Sequence, residues 1–181
     1  ITDKESNIEA IDNVLLVNED EKIFINSGYA LLNDSVKYFT ETPKISFLSK
    51  DDTLNINSEI VFSKKNILIS HKDVKIISKN LIGKCDSLSF NQNDSLIKLY
   101  GSPVLWADGF QITSDTIILT YFDNEIKNFY LPNNPFICFK SDTTIFNQIK
   151  GNEISGVFSK NILRKINVHS QGESIYLVKE S

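Results

Sequence analysis

Residues 101 to 119 read Gly101-Ser102-Pro103-Val104-Leu105-Trp106-Ala107-Asp108-Gly109-Phe110-Gln111-Ile112-Thr113-Ser114-Asp115-Thr116-Ile117-Ile118-Leu119, and they hold both halves of a pattern that recurs along the chain. The second half is an Ile, two small or polar residues, an acidic or amide residue, and then apolar residues. It returns as Ile56-Asn57-Ser58-Glu59-Ile60-Val61-Phe62 and as Ile149-Lys150-Gly151-Asn152-Glu153-Ile154. Ile82-Gly83-Lys84-Cys85-Asp86-Ser87-Leu88 fits with one inserted residue, and Ile25-Asn26-Ser27 begins a weaker copy. The first half is a short strand entered through a turn or polar residue. Its other copies are Asp73-Val74-Lys75-Ile76, Lys165-Ile166-Asn167-Val168 and Asn13-Val14-Leu15-Leu16. The intervals between Glu59, Asp86, Asp115 and Asn152 are irregular, and each unit has room for two to four short strands.

Around this stretch the dominant signal is alternation with a period of two, which predicts strands. Val74 and Ile76 share a face opposite Lys75, and Leu88 and Phe90 share one opposite Ser87 and Ser89. Polar breaks separate the strands at Ser49-Lys50-Asp51-Asp52-Thr53, Asn91-Gln92-Asn93-Asp94 and Phe122-Asp123-Asn124-Glu125, all of hairpin-turn composition. No segment has a sustained helical period, although the first dozen residues have room for a short helical turn. No Gly/Ser- or Pro-rich linker interrupts the chain, which predicts a single all-β domain over residues 1–181. A unit this small cannot bury its own apolar face, so units must stack. The stack closes either as a β-helix or as two facing sheets.

Composition agrees. The 181 residues are 41% hydrophobic and 23% charged, rich in Ile and Phe and without Met. Such a chain folds, and Ile and Phe suit a pleated, half-buried surface. The net charge is −4 and the pI about 5.2. The basic residues are scattered and Arg164 is the single arginine. Nucleic-acid binding, which needs clustered cations, is therefore not expected. Apolar runs such as residues 14–17 fall far short of the ~20 residues of a spanning helix. The chain opens on Ile1 with no visible signal peptide, so a mature or trimmed chain is expected, and a stand-alone protein and the N-terminal part of a longer one both remain open. Cys85 and Cys138 fit neither a disulfide framework nor a metal pattern; a bridge and two free thiols both remain open.

The series of motifs resembles the repeat of OstA-like proteins, the LptA and LptD N-terminal group of lipopolysaccharide transport proteins. Gly101 through Leu105 match the first strand of that repeat, with Pro103 where Val is usual. Ile112 through Ile117 match the second, with Ser114 in place of Gly. Phe146-Asn147-Gln148-Ile149-Lys150-Gly151, Gly156-Val157-Phe158 and the ending Val168-His169-Ser170-Gln171-Gly172-Glu173-Ser174-Ile175-Tyr176 resemble the Bacteroidetes members in particular. The resemblance covers roughly residues 8 to 178. It implies an antiparallel β-jellyroll of taco form, built from repeats and open at both ends. It further implies a periplasmic, non-enzymatic module near the outer membrane. The partners implied are lipopolysaccharide, through its lipid A acyl chains, and other Lpt-type jellyrolls or copies of this chain edge to edge. No cofactor is implied.

Face parity then nominates a lipid-contacting set: Val74, Ile76, Leu88, Phe90, Leu105, Ile112, Ile117, Leu119, Ile154, Phe158, Ile166 and Val168. The same positions serve equally as plain core. A one-residue slip would reverse every side chain, and in 104–106 and 117–119 both faces are apolar. Pro103 must avoid a ladder position, because it has no N–H to donate. Trp106 is expected to pack on a sheet face with its N–H bonded, against the alternatives that it covers the groove mouth or contacts a membrane or partner. His71 and His169 lack metal-ligand neighbours. Glu59, Asp86 and Asp115 form a recurring acidic row that brings glycosidase carboxylates to mind. Asn152 at the same place points to turn chemistry instead, since an amide caps a turn but cannot act as a general base. An enzyme is therefore not expected. The competing reading is a structural or adhesive β-solenoid that binds proteins at its sheet edges.

Overall fold

The computed structural model describes residues 7–50, 52–122, 125–141, 145–159 and 162–177. These residues are strand throughout, joined by turns and bends. In chain order the strands are β1 (Ile8–Asn18), β2 (Ile23–Leu32), β3 (Lys37–Thr40), β4 (Lys44–Leu48), β5 (Thr53–Asn57) and β6 (Ile60–Lys64). They continue as β7 (Ile67–Ile77), β8 (Leu81–Asn91), β9 (Leu96–Tyr100), β10 (Val104–Ala107), β11 (Phe110–Thr113) and β12 (Thr116–Phe122). The last are β13 (Glu125–Leu131), β14 (Phe136–Lys140), β15 (Phe146–Lys150), β16 (Glu153–Ser159), β17 (Ile162–His169) and β18 (Glu173–Ile175). Of the first dozen residues, which have room for a helical turn, residues 8–12 are strand as part of Ile8–Asn18, and residues 1–6 lie outside the described set. Pairing with β2 satisfies the backbone of that strand and overrides the weak local signal.

All pairings are antiparallel, and they sort into two ladders. The first runs from the second half of β1 through the first half of β2, β4, β5, the second half of β7, the first half of β8, β10, β11, β14 and β15 to β18. The second runs from the first half of β1 through the second half of β2, β3, β6, the first half of β7, the second half of β8, β9, β12, β13 and β16 to β17. The long strands β1, β2, β7 and β8 bend from one ladder into the other. Elsewhere the chain makes the same crossing through a short corner. The path is a serpentine folded along its midline: two facing sheets rather than a β-helix.

The recurring motif is that fold line. Ser27, Ser58 and Ser114 turn inward at three of its corners and are buried there. The hydroxyls of Ser27 and Ser58 donate to the carbonyls of Tyr29 and Ile60, each at 3.0 Å, and that of Ser114 donates to the Asn133 carbonyl. The next residue's N–H ties each corner to its neighbour: Gly28 to Glu41 (3.0 Å), Glu59 to Lys72 (3.1 Å), Asp115 to Asn133 (3.1 Å) and Asn152 to Ser170 (3.3 Å). Facing corners take left-handed backbone at Glu41-Thr42, Lys72-Asp73, Gly101-Ser102 and Ser170-Gln171. Gly101, at φ +76°, is required: a Cβ there would lie 2.4 Å from the Asp86 carboxylate. Pro103 follows it, buried and outside any strand. Lys165 to Val168 does not open a strand from a turn, as the pattern suggested. It lies inside β17, whose corner comes at Ser170-Gln171.

Alternation sends one set of side chains between the ladders. Ile25, Ile45, Ile56, Ile76, Leu105 and Ile112 face inward from the first ladder, and Phe39, Val61, Leu88, Leu99, Leu119 and Phe129 from the second, all buried. Removing each such side chain from water is worth about 1.5–3 kcal/mol, and this burial holds the faces together. Where both faces are apolar the register is now fixed: Leu105 points in and Trp106 out, and Ile117 and Leu119 point in while Ile118 points out. Gly156 leaves room for the Phe129 ring, which covers it so closely that a Cβ would lie 2.2 Å from a ring carbon.

Candidate functional site

Away from the fold line the ladders end in two rims of hairpin turns, and between the rims the interior opens. The opening is a cavity of about 660 Å³. Lys22, Ile23, Phe47 and Lys50 line it from the first ladder, and Phe90, Gln92, Tyr121 and Glu125 from the second. Its floor is aromatic. Phe47 lies edge-on to Phe90 (centroids 5.2 Å apart) and to Tyr121 (5.4 Å). Both pairs cross from ladder to ladder. A second cavity of about 390 Å³ continues the opening toward β1, lined by Leu16, Ile23, Ile25, Leu68 and Gln92. Among the described residues one side-chain bond spans the opening: Gln92 Nε2 donates to Glu21 Oε2, which also accepts from Asn18 Nδ2 at 3.2 Å.

Tyr121 is the unusual member of this floor. Its ring is buried, and its hydroxyl has no hydrogen-bond partner among the described residues. Burial first, and the Asp52 carboxylate second, raise its pKa well above the usual phenol range, so the group stays neutral. A buried hydroxyl without a partner costs roughly 1–3 kcal/mol, and a ligand oxygen in the cavity would relieve that cost.

Ten of the twelve positions nominated by parity lie in the buried interior. Val74, Ile76, Leu105 and Ile112 face inward from the first ladder, and Leu88, Phe90, Ile117, Leu119, Ile154 and Phe158 from the second. These ten are buried against one another, and of them Phe90 reaches the cavity between the rims. Ile166 is half-buried, and Val168, 38% exposed, faces the uncovered end beside β17. Ile23, Phe47 and Tyr121 were missed, although parity reached them: Phe47 alternates with Ile45, and Tyr121 with Ile117 and Leu119.

Among the described residues nothing caps either end of the stack. β1 pairs with β2 alone, β17 with β16 and β18 with β15, so each keeps an unpaired strand edge among the described residues. Inward-facing Val14 and Leu16 at one end, and Leu163 and Ile149 at the other, are only partly buried.

The recurring acids sit at corners, exposed, in turn and ion-pair roles. Glu59 pairs with Lys72 at 3.6 Å, and Asp115 Oδ2 accepts from Asn134 Nδ2 at 2.7 Å. Among the described residues no His, Cys, Asp and Glu cluster could hold a metal ion. Cys85 points inward and is buried while Cys138 points outward, and both are free thiols. Burial pushes the Cys85 thiol up to about 12.

No family model matches the chain, and no curated protein matches it. Among solved structures it is similar to LptH of Pseudomonas aeruginosa, described as the LptA-homologous periplasmic component of the lipopolysaccharide transport device. The TM-score is 0.36 and the identity 9%, over 67% of this chain and 80% of that one. The likeness transfers no residue role.

Proposed function

We propose that this chain is a non-enzymatic lipopolysaccharide transport module of the periplasm, sheltering lipid A acyl chains between its ladders and stacking end to end through its free strand edges. The observation that carries the reading is the opening between the rims, with its Phe47, Phe90 and Tyr121 floor and an interior of apolar side chains behind it. Apolar transfer drives the capture of an acyl chain, and a net-acidic chain does not oppose it. The ordered motif series supports the same reading, as do the uncapped ends, which suit strand addition by a like partner. In this proposal the twelve parity-selected residues are the acyl-contacting set. Phe90 meets the lipid first, and the deeper ones are exposed as the rims part. Glu21 and Gln92 alone bridge those rims among the described residues.

A second reading is favoured by the packing itself. Ten of the twelve positions are already buried without any lipid, as a structural β-solenoid that binds proteins at its edges would require.

Photocrosslinking to lipopolysaccharide separates the two, with an unrelated β protein as control. Stoichiometric, detergent-competed capture, lost in a Phe90→Asp variant that keeps its far-ultraviolet circular dichroism, supports lipid transport. No capture by the folded chain removes that reading and leaves the scaffold.

A further inference from the structure

The outer face of the first ladder carries a different kind of surface. Ile77, Ile82 and Trp106 are directly opposite one another on β7, β8 and β10, so they stand in one row on that face. They are 46%, 55% and 37% exposed, and Phe146, on the same face of β15, is 46% exposed. A shallow hollow of about 590 Å³ lies among these residues at the rim, with Lys79 and Lys140 on its border. Lys84 holds its Nζ 6.0 Å from the centre of the Trp106 ring.

We propose that this face docks on the surface of an anionic lipid bilayer. Charge selects the occupant. The chain as a whole carries −4, yet Lys79, Lys84 and Lys140 surround the apolar row and make no ion pair among the described residues. The nearby acids are Asp73, paired with Lys75 at 2.7 Å, Glu173, paired with Lys150 at 2.9 Å, Asp52, whose carboxylate accepts the Lys79 backbone N–H at 3.1 Å, Asp86, exposed two residues beyond Lys84, and Asp108 in the β10–β11 turn. The Trp106 ring is ready for the interface, because its Nε1 already donates to Gln111 Oε1 at 3.1 Å and enters lipid with no unmet donor. Lysine stems lie along apolar surface while their ammonium groups reach outward to phosphates. The row spans neighbouring strands of one sheet face, which suits a broad surface better than a narrow groove.

This docking does not depend on lipid capture between the ladders, and Trp106 separates the two. It is the only tryptophan and lies on the outer face, so lipid held inside leaves its emission unmoved. The test uses the full chain with vesicles of phosphatidylcholine containing phosphatidylglycerol, against vesicles of phosphatidylcholine alone. With the anionic vesicles, Trp106 emission should shift to the blue and the protein should float with the lipid. High salt should reverse both effects. Lys79→Gln, Lys84→Gln and Lys140→Gln should each lower the partition coefficient roughly fivefold, and Ile82→Asn should diminish the blue shift. All four positions are exposed, so circular dichroism should stay that of the parent. Unmoved emission with anionic vesicles overturns the proposal, as does an equal response to neutral ones or lysine variants that bind like the parent.

Discussion

The fold line and the rims are built from the same residue types, Ser, Asn, Asp and Gly, and they behave in opposite ways. At the fold line a small residue turns inward, is buried, and its neighbour's N–H ties one crossing to the next. At the rims those side chains serve their own turns: Ser49 Oγ donates to the Asp52 carbonyl, and Asn33 Oδ1 accepts from the Val36 N–H. Rim backbone bonds, such as Gln92 to Asn66 and Leu48 to Lys22, run along one ladder. Only Gln92 and Glu21, among the described residues, join rim to rim. Among the described residues, one margin of the interior is therefore locked by buried corner bonds and the other is closed by a single exposed one. Position relative to the pleat, rather than residue type, decides which.

Alkali probes both margins, through Cys85 beside the fold line and Tyr121 at the opening. Each has a raised folded pKa and stays neutral where the unfolded chain ionises. Their contribution is present in full below pH 9.0 and is lost for Cys85 as the pH rises through about 12. Across that window the parent should lose roughly 4 kcal/mol or more of stability relative to a Cys85→Ala, Tyr121→Phe double variant. An identical alkaline slope in the two would show that neither group is held neutral by the fold. The most damaging way to break the locked margin is Gly101→Val. It places a side chain at φ +76° and against the Asp86 carboxylate, and should cost about 3 kcal/mol in urea unfolding.

Smaller still, Ser58→Ala removes a corner bond and should cost about 1 kcal/mol, whereas Ser70→Ala should be neutral or stabilising. Ser70 is more deeply buried than Ser58 but has no hydrogen-bond partner among the described residues. Equal costs for the two would dissolve the distinction between corner serines and the rest. The smallest effect on stability belongs to Glu21→Ala, within about 0.5 kcal/mol. Its signature is kinetic: an apolar fluorescent probe should enter the interior faster than in the parent, and an unchanged entry rate would show that this bond does not gate the opening.

Much of this was legible in the chain itself. Alternation located the strands and chose the inward face, even for Leu105 and Leu119. The repeat marked the corners, because only a short polar side chain can turn inward there and still satisfy a hydroxyl. The aromatic floor was harder to read. Phe47, Phe90 and Tyr121 are far apart in sequence and meet only when the ladders face each other, and no local period encodes that. The partial exposure of Val168 was equally hidden, since parity gives direction and cannot say that β17 is the last described strand on its side.

The serpentine path also sets how such a molecule changes size. Each pass of the chain through a corner adds one strand to both ladders, advancing the stack by about 4.8 Å, and it touches only the passes before and after it. Cross-section and length are thereby independent quantities. Inserting or deleting two consecutive passes would restore the alternation of rims and keep every remaining neighbour. The protein is in this sense a ruler graduated in corners, and its reach can be lengthened or shortened by whole graduations without redesigning its interior.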